Sequence, residues 1–168
     1  MKKLSLVFFI YFENNKKFIL LGRQAPNKRL AGIRNGSGGK CEGNESTEDC
    51  AVRETKEEFG IQIKKEELVL VGKIVDETMV VDVFIVLTKE KFNPPADNNE
   101  FVDVRWFALE QPELFVPEML PNNDVIIPEL KAKIDELKAN GKVLTTFVVD
   151  ETKVDSPELK SLKSKIYK

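Results

Sequence analysis

One stretch, GKCEGNESTEDCAVRETKEEFGI at positions 39–61, limits what this chain can be more than any other. It predicts a loop that leads into a helix, because Ser46 or Thr47 suits the N-cap and Asp49 suits the positive end of the helix dipole. Gly60 suits the left-handed residue that ends a helix. At about 100° per residue, an acidic arc lies beside a packing arc. The acidic arc contains Glu54, Glu57 and Glu58, and the packing arc contains Ala51, Val52, Thr55 and Phe59.

The acidic arc predicts a metal site. Like charges one helical turn apart repel each other, and a hard divalent cation such as Mg²⁺ or Mn²⁺, which prefers oxygen ligands, offsets that repulsion. The glycine-rich segment at positions 35–39 comes directly before, and glycines let the backbone approach a ligand closely. The competing interpretation is a solvated acidic face that Arg53 and Lys56 neutralise in part. The glycine-rich segment favours a metal-bound phosphate, with Glu57 and Glu58 at a charged surface.

The absence of histidine excludes several kinds of catalysis. The 168 residues contain no histidine, so Ser-His-Asp and Cys-His mechanisms and histidine metal sites are ruled out. Cys41 and Cys50 are too few for a structural zinc site, and we expect two free thiols rather than a disulfide. Hydrolytic chemistry in this chain must therefore depend on carboxylates and a metal ion.

Charge and hydropathy indicate a soluble intracellular protein. The 26 basic and 28 acidic residues give a net charge of -2, which provides no general attraction to a nucleic-acid polymer or an anionic membrane. No apolar run is long enough to span a bilayer, and the apolar start lacks the features of a signal peptide. We expect a cytoplasmic protein, either a monomer or a homodimer.

The stretch at positions 39–61 resembles the signature of the Nudix hydrolases, G-x5-E-x7-R-E-U-x-E-E-x-G-U, where U is a bulky aliphatic residue. The one departure is Thr55, where a bulky aliphatic residue is usual. The resemblance extends over about residues 3–150 and includes the typical segments 35–40 and 105–107. The matching positions are Gly39, Glu45, Arg53, Glu54, Glu57, Glu58, Gly60 and Ile61.

The resemblance implies an α/β (α+β) fold, an α/β/α sandwich with a mixed central sheet. We expect a Nudix domain over residues 1–150 and a charged tail over 151–168, which either forms a short docked helix from Ser156 onward or stays mobile. A second helix is predicted from Pro128 to Asn140, with Pro128 in its first turn. Strands are predicted at 4–12, 17–22, 68–75, 80–88, 101–109 and 142–149, and irregular segments at 23–34, 91–99 and 111–124.

The resemblance also implies roles for the residues of the signature and its surroundings. A Mg²⁺ ion would be held by the three acids of the arc, by the carbonyl of Gly38 and by Glu100, with Glu90, Asp97 and Asp103 as competitors of Glu100. The catalytic base would be Glu54, Glu57, Glu58 or Glu100. Arg53 would pair with a signature glutamate, and Glu45 would shape the junction of loop and helix. Gly39 and Gly60 would be structural, and Gly38, Gly39 and Lys40 would also contact substrate.

Within the family, the chain most resembles the 8-oxo-dGTP diphosphatases, which release a monophosphate and pyrophosphate. Asn35 matches an asparagine that contacts the purine in those enzymes. Asn122 and Asn123 stand where that group has an aspartate pair, and Asp124 is an alternative in the same loop. An asparagine amide can both donate to guanine O6 and accept from N1–H. The basic residues Arg23, Lys28, Arg29 and Arg34 offer contacts to the triphosphate, although for each one a plain surface role is preferred.

Other substrates and other classes of protein remain open as alternatives. Within the family, the alternative substrates are dinucleoside polyphosphates, nucleotide sugars and ADP-ribose. A non-catalytic nucleotide sensor is a different class, and the intact acids argue against it. A calcium-binding module is a third, and the ligand spacing is not that of an EF-hand loop.

Overall fold

The computed structural model describes residues 1–28, 30–95, 99–110, 119, 123–158 and 160–161. Within these residues, the elements in chain order are eight strands, two α-helices and a short 3₁₀ helix at Lys65–Glu67. The strands are β1 (Lys2–Glu13), β2 (Lys16–Gln24), β3 (Arg34–Asn35), β4 (Ser37–Lys40), β5 (Val69–Val75), β6 (Met79–Leu87), β7 (Phe101–Ala108) and β8 (Phe147–Asp150). The helices are α1 (Thr47–Phe59), which follows β4, and α2 (Asn123–Asn140), which follows β7.

The strands form one mixed sheet. Its main path runs β3-β2-β1-β6-β5-β8, while β4 pairs with β1 and β7 pairs with β2. The β1–β6 and β5–β8 pairs are parallel, and the other pairs are antiparallel. The hairpin between β1 and β2 turns at Asn14 and Asn15, which both have positive φ angles, as a two-residue hairpin turn requires. The predicted mixed α+β fold is confirmed.

Strand β1 builds the core on both faces of the sheet, because successive side chains of a strand point to opposite sides. Val7 and Phe9 belong to an apolar cluster that includes Ala51 and Phe59 of α1. The side chains of the alternate positions belong to a second cluster, which includes most of the buried side chains of α2. From β1 these are Leu6, Phe8 and Ile10, and from α2 they are Ile126, Ile127, Leu130, Ile134 and Leu137. The sheet therefore lies between the two helices.

The glycine-rich segment, predicted as a loop, contains strand β4. This strand lies antiparallel against β1, with Gly38 opposite Leu6 and Gly39 opposite Ser5. A side chain at Gly38 would overlap the carbonyl oxygen of Ser5. Glycine is therefore required here for close approach of two backbones, so the sequence pattern was correct about proximity and wrong about the loop.

The second helix begins at Asn123 rather than at Pro128. Pro128 lies inside the helix, and Ile126 and Ile127 just before it are buried in the core. Burial of these two side chains favours the additional turn despite the hydrogen bond that proline cannot make. The last strand is shorter than predicted, at Phe147–Asp150 instead of 142–149. Among the described residues, no helix has the length and apolar character that crossing a membrane requires.

Candidate active site

Helix α1 is held at both ends in the way that the sequence predicts. The Ser46 hydroxyl accepts a hydrogen bond from the backbone N–H of Asp49 (3.1 Å), and Gly60 has a φ of 67° at the C-terminal end. The Thr47 hydroxyl donates to Asp82 of β6 (2.6 Å), which ties the first turn to the sheet. The orientation of the acidic arc is therefore fixed by caps and by the sheet.

Thr55, the departure from the family signature, has a polar partner inside the protein. Its hydroxyl lies 2.8 Å from the hydroxyl of Ser37 in β4, and both residues are fully buried. A buried hydroxyl is costly unless it is hydrogen-bonded. The pair replaces the aliphatic contact that is usual here, and it holds α1 against β4 close to the acids.

Arg53 links three glutamates along one side of α1. Its Nε and Nη2 donate to the two carboxylate oxygens of Glu45 at 3.0 Å each, and its Nη1 donates to Glu54 (2.8 Å) and Glu57 (3.1 Å). The guanidinium of Arg53 lowers the pKa of Glu45. Glu45 also accepts from the backbone N–H of Glu42 (3.0 Å), at the junction of loop and helix. The contacts expected of Arg53 and Glu45 are present.

Glu58 is buried, so the expectation of a charged surface is wrong for this residue. It is only 8% exposed, and the backbone N–H of Gly38 donates to its Oε2 at 2.7 Å. Burial raises its pKa to about 8, and the neighbouring carboxylates of Glu54, Glu100 and Glu57 add to the shift, while the Gly38 N–H opposes it. Glu58 is thus an acid in a site with an excess of negative charge.

The other two acids of the arc differ in exposure. The side chain of Glu57 is 56% exposed, whereas that of Glu54 is 14% exposed. Burial raises the pKa of Glu54, and Arg53 opposes that shift. A side chain at Gly39 would collide with the Glu54 carboxylate, so glycine is needed there to make room for the acid. Side-chain exposure in the acidic arc therefore increases from the buried Glu58 through Glu54 to the solvent-facing Glu57.

Glu100 lies just before β7 and reaches the same group of acids, since its charge contributes to the raised pKa of Glu58. It also forms an ion pair with Lys28 (2.6 Å). Of its competitors, Asp103 is occupied by Arg34 at 2.7 Å, Glu90 lies in an exposed bend after β6, and Asp97 lies outside the described residues. Among the described competitors, neither has the link to Glu58 that Glu100 has.

The acids fit a divalent cation in charge and in ligand type. The charges of Glu54, Glu57 and Glu100 all contribute to the raised pKa of Glu58, and a divalent cation would relieve this repulsion. The oxygen atoms of these acids do not all lie within 4.8 Å of one another. In the described part of the chain, the one group of three potential ligand atoms within that distance belongs to Cys41, Glu45 and Cys50.

The residues expected to contact the base lie on two neighbouring segments. Asn35 is in β3, where its side-chain oxygen accepts from the N–H of Gly36 (2.9 Å). A β-bridge between Arg34 and Met119 brings the chain just before α2 alongside β3. Asn123 opens α2 and is 4% exposed, and its side-chain nitrogen is buried with no hydrogen-bond partner in the described structure.

The rest of the expected base-contacting loop is corrected by the structure. Asn123 and Asp124 lie in the first turn of α2 instead of in a loop, and Asp124 is exposed. Asn122 lies outside the described residues.

The basic residues expected near the phosphates have mainly other partners. The buried guanidinium of Arg34 pairs with Asp103 and lies 4.9 Å from the ring centre of Phe107. Arg23 also reaches Asp103 (3.6 Å), and Lys28 reaches Glu100. Arg29 lies outside the described residues. Lys40 is exposed, and its carbonyl oxygen accepts from Arg53 (3.2 Å).

The structure thus combines a mixed sheet between two helices with a capped helix, α1, that presents buried and exposed carboxylates beside the glycine-rich strand β4. The NUDIX domain family matches residues 3–130 of this sequence, which is most of the chain. The chain therefore belongs to the Nudix family, whose hydrolases are pyrophosphohydrolases that generally use divalent metal ions.

Solved structures share the fold at low sequence identity. A MutT/nudix family protein from Enterococcus faecalis has a TM-score of 0.54 at 22% identity over 64% of this chain, which spans only 43% of that protein. The NUDIX domain of Shewanella oneidensis NrtR, solved with ADP ribose, has a TM-score of 0.64 at 14% identity, covering 79% and 87% of the two chains. A C. elegans Ap4A hydrolase has a TM-score of 0.61 at 16% identity, covering 81% and 99%. No curated protein matches the sequence.

Proposed function

We propose that this protein is a Mg²⁺-dependent nucleoside triphosphate diphosphatase that hydrolyses an oxidised purine nucleotide such as 8-oxo-dGTP to the monophosphate and pyrophosphate. The observation that carries the hydrolase proposal is the buried Glu58, held by the N–H of Gly38 and surrounded by three further acids. The charged form of Glu58 is unfavourable in these surroundings, so the residue holds a proton in the metal-free protein, and a bound cation would stabilise the carboxylate. The arrangement is typical of a functional site rather than of a solvated helix face.

The residues that would hold the ion are Glu54, Glu57, Glu58 and Glu100, together with the carbonyl of Gly38. When bound, Mg²⁺ or Mn²⁺ supplies charge neutralisation for the phosphates and makes a water molecule more acidic. Arg53 keeps Glu54 and Glu57 in fixed orientations through its Nη1 hydrogen bonds. Gly39 packs closely on the Glu54 carboxylate, and we propose that Gly38, Gly39 and Lys40 contact the phosphates.

The proposal of a purine substrate depends on the two asparagines. A buried amide group without a partner, as in Asn123, is unfavourable unless a ligand completes its hydrogen bonds. Asn35 lies on the strand that is bridged to the segment before α2. We place the two residues on opposite walls of one purine pocket, with Asp124 as an exposed competitor at the rim.

A substrate panel tests the proposal. Monophosphate release is measured with Mg²⁺ from 8-oxo-dGTP, dGTP, dATP and dCTP, and product release is measured from ADP-ribose, a nucleotide sugar and a dinucleoside polyphosphate. We expect the highest kcat/KM for 8-oxo-dGTP, and loss of turnover when the metal is removed with a chelator. A higher kcat/KM for one of the last three compounds would replace the oxidised-purine assignment. Binding without turnover of any compound would indicate a nucleotide sensor.

We also propose that residues 1–150 form the catalytic domain and that turnover does not require the charged segment 151–168. The chain just after β8 stays on the domain, since the N–H of Glu151 donates to the Val75 carbonyl (2.9 Å) and Val154 packs on the core. A chain that stops after Asp155 keeps both contacts. We expect this truncation to keep the turnover and thermal stability of the full chain, and a lower kcat would assign a role to the tail.

A further inference from the structure

Two thiols converge beside the N-terminal half of α1, at the opposite end of the helix from Glu57 and Glu58. Cys41 directly follows β4, and Cys50 lies in α1. Their sulfur atoms and a carboxylate oxygen of Glu45 all lie within 4.8 Å of one another, and both cysteines are free. The sequence separates the two residues and places them in different elements, so only the fold brings them together.

The two thiols differ in access to solvent. Cys41 is partly exposed and lines a surface pocket of about 690 Å³, together with Lys3, Lys40 and Glu45. Cys50 is fully buried: the Ser5 hydroxyl donates to its sulfur (3.2 Å), and the thiol donates to the carbonyl of Gly39 (3.5 Å). The sulfur of Cys41 is therefore accessible to a small reagent in the pocket, whereas the sulfur of Cys50 is buried.

We propose that Cys41 and Cys50 are a redox-active pair that forms a reversible intramolecular disulfide when a hydroperoxide enters the pocket. The sulfur of Cys41 attacks the peroxide, the O–O bond breaks, and a sulfenic acid and water form. The sulfur of Cys50 then attacks the sulfur of Cys41, the S–S bond forms, the S–O bond breaks, and a second water leaves. Overall, two thiols and one hydrogen peroxide give one disulfide and two waters. An external dithiol reduces the bond again.

The surroundings of Cys41 and Cys50 favour a disulfide over a metal site formed by the same residues. The third donor, Glu45, is engaged by two hydrogen bonds from Arg53 and by the backbone N–H of Glu42. A cation would have to displace that guanidinium. A disulfide requires the two sulfurs to approach to about 2.05 Å with a suitable dihedral angle. The sulfurs already lie within 4.8 Å, and Cys41 follows the end of a strand where its side chain has room in the pocket. The proposal does not depend on the substrate of the hydrolase.

The test uses the full chain, reduced, desalted and then treated with a small excess of hydrogen peroxide. Free thiols are counted after denaturation, and intact mass and non-reduced peptide maps are recorded. We expect both thiols to disappear, the mass to fall by two hydrogen atoms, one peptide to link Cys41 to Cys50, and dithiothreitol to restore both thiols. Thiols that remain, oxygen adducts without a linked peptide, or disulfides between chains would each overturn the proposal.

Two variants test the order of the steps. In Cys50→Ser, Cys41 should accumulate as a sulfenic acid that a dimedone reagent traps. In Cys41→Ser, Cys50 should stay reduced under the same treatment, because it is buried. Equal oxidation of Cys50 in the presence and absence of Cys41 would contradict the assigned entry point. The wild-type peptide map remains decisive even if a variant folds poorly.

Discussion

The backbone N–H of Gly38 and the carboxylate of Glu58 are joined by a 2.7 Å hydrogen bond between strand β4 and helix α1. This contact fixes the distance between the glycine-rich strand and the most buried acid of the site. Gly38 is held in place by the pairing of β4 with β1, and a Cβ at this position would overlap the Ser5 carbonyl. The predictions that follow start from this buried acid.

The metal-free protein should lose stability through Glu58 as the pH rises. The pKa of Glu58 is raised from 4.5 to about 8, so the folded protein binds this proton more tightly than the unfolded chain. The corresponding stability is complete below the ordinary pKa and is lost as the pH rises through the raised one. The difference in free energy of unfolding between Glu58→Gln and wild type should therefore shift in favour of the variant by about 2–4 kcal/mol as the pH rises from about 5 to about 8.

Urea unfolding in the presence of a chelator, at several pH values from about 5 to 8, measures this difference. The control is Glu77→Gln, which removes an exposed acid in the turn between β5 and β6. Its difference from wild type should not vary with pH in this range. If the free energies of unfolding of Glu58→Gln and wild type change in parallel with pH, the pKa of Glu58 is not raised in the folded protein.

Loss of either of two acids should abolish most turnover without unfolding the protein. We expect Glu57→Gln and Glu58→Gln to lower kcat by about two orders of magnitude or more, since each removes a ligand charge from the proposed ion site. Circular dichroism and thermal unfolding check the fold, and Glu77→Gln again serves as the control with normal kcat. Wild-type turnover in Glu57→Gln would identify the exposed part of the arc as a solvated face.

Purine discrimination should depend on the asparagines. Asn35→Ala and Asn123→Ala should lower kcat/KM for the preferred purine triphosphate by about twofold to tenfold, because a lost hydrogen bond to substrate costs about 0.5–1.5 kcal/mol. A pyrimidine triphosphate should be affected less. Asp124→Ala, the matched change in the same turn, should have a small effect because Asp124 is exposed. If purine and pyrimidine activities fall together in all three variants, the base is bound elsewhere.

The Ser37–Thr55 pair should show coupling. Thr55→Val leaves the buried Ser37 hydroxyl without its partner, and we expect a loss of about 1–3 kcal/mol in free energy of unfolding. Ser37→Ala/Thr55→Val removes both hydroxyls and should be less destabilised than the sum of the single variants. A double-mutant cycle measured by chemical unfolding gives the coupling directly. An additive result would mean that the two hydroxyls do not stabilise each other.

Local patterns in the sequence predicted the helix of the signature well. The caps at Ser46 and Gly60 depend on residues near one another in the chain, so spacing alone predicts them, whereas the pairing of Arg53 with a signature glutamate was expected from the family resemblance. The mixed sheet was predicted through the family resemblance. The strand β4 was missed because glycine is usually a loop residue, and its role here depends on the backbone of β1, more than thirty residues earlier.

Features that depend on distant parts of the chain were outside the reach of sequence patterns. The start of α2 was misplaced because Pro128 is a usual first-turn residue, whereas burial of Ile126 and Ile127 decides where the helix begins. The burial of Glu58 and its link to Glu100 arise from the packing of α1 against β4 and β7. The Lys28–Glu100 ion pair joins residues 72 positions apart, and neither has a local pattern that points to the other.

Strand β1 divides its side chains between the two helices, with Val7 and Phe9 on the side of α1 and Phe8 and Ile10 on the side of α2. The helix with the carboxylates and the helix with Asn123 therefore rest on opposite faces of the same strand. On our proposal that Asn123 contacts the base, substitutions on the α2 face would change which nucleotide is accepted and leave the packing beneath the carboxylates unchanged. A new substrate would then require a new recognition surface only, on a carboxylate site that is inherited.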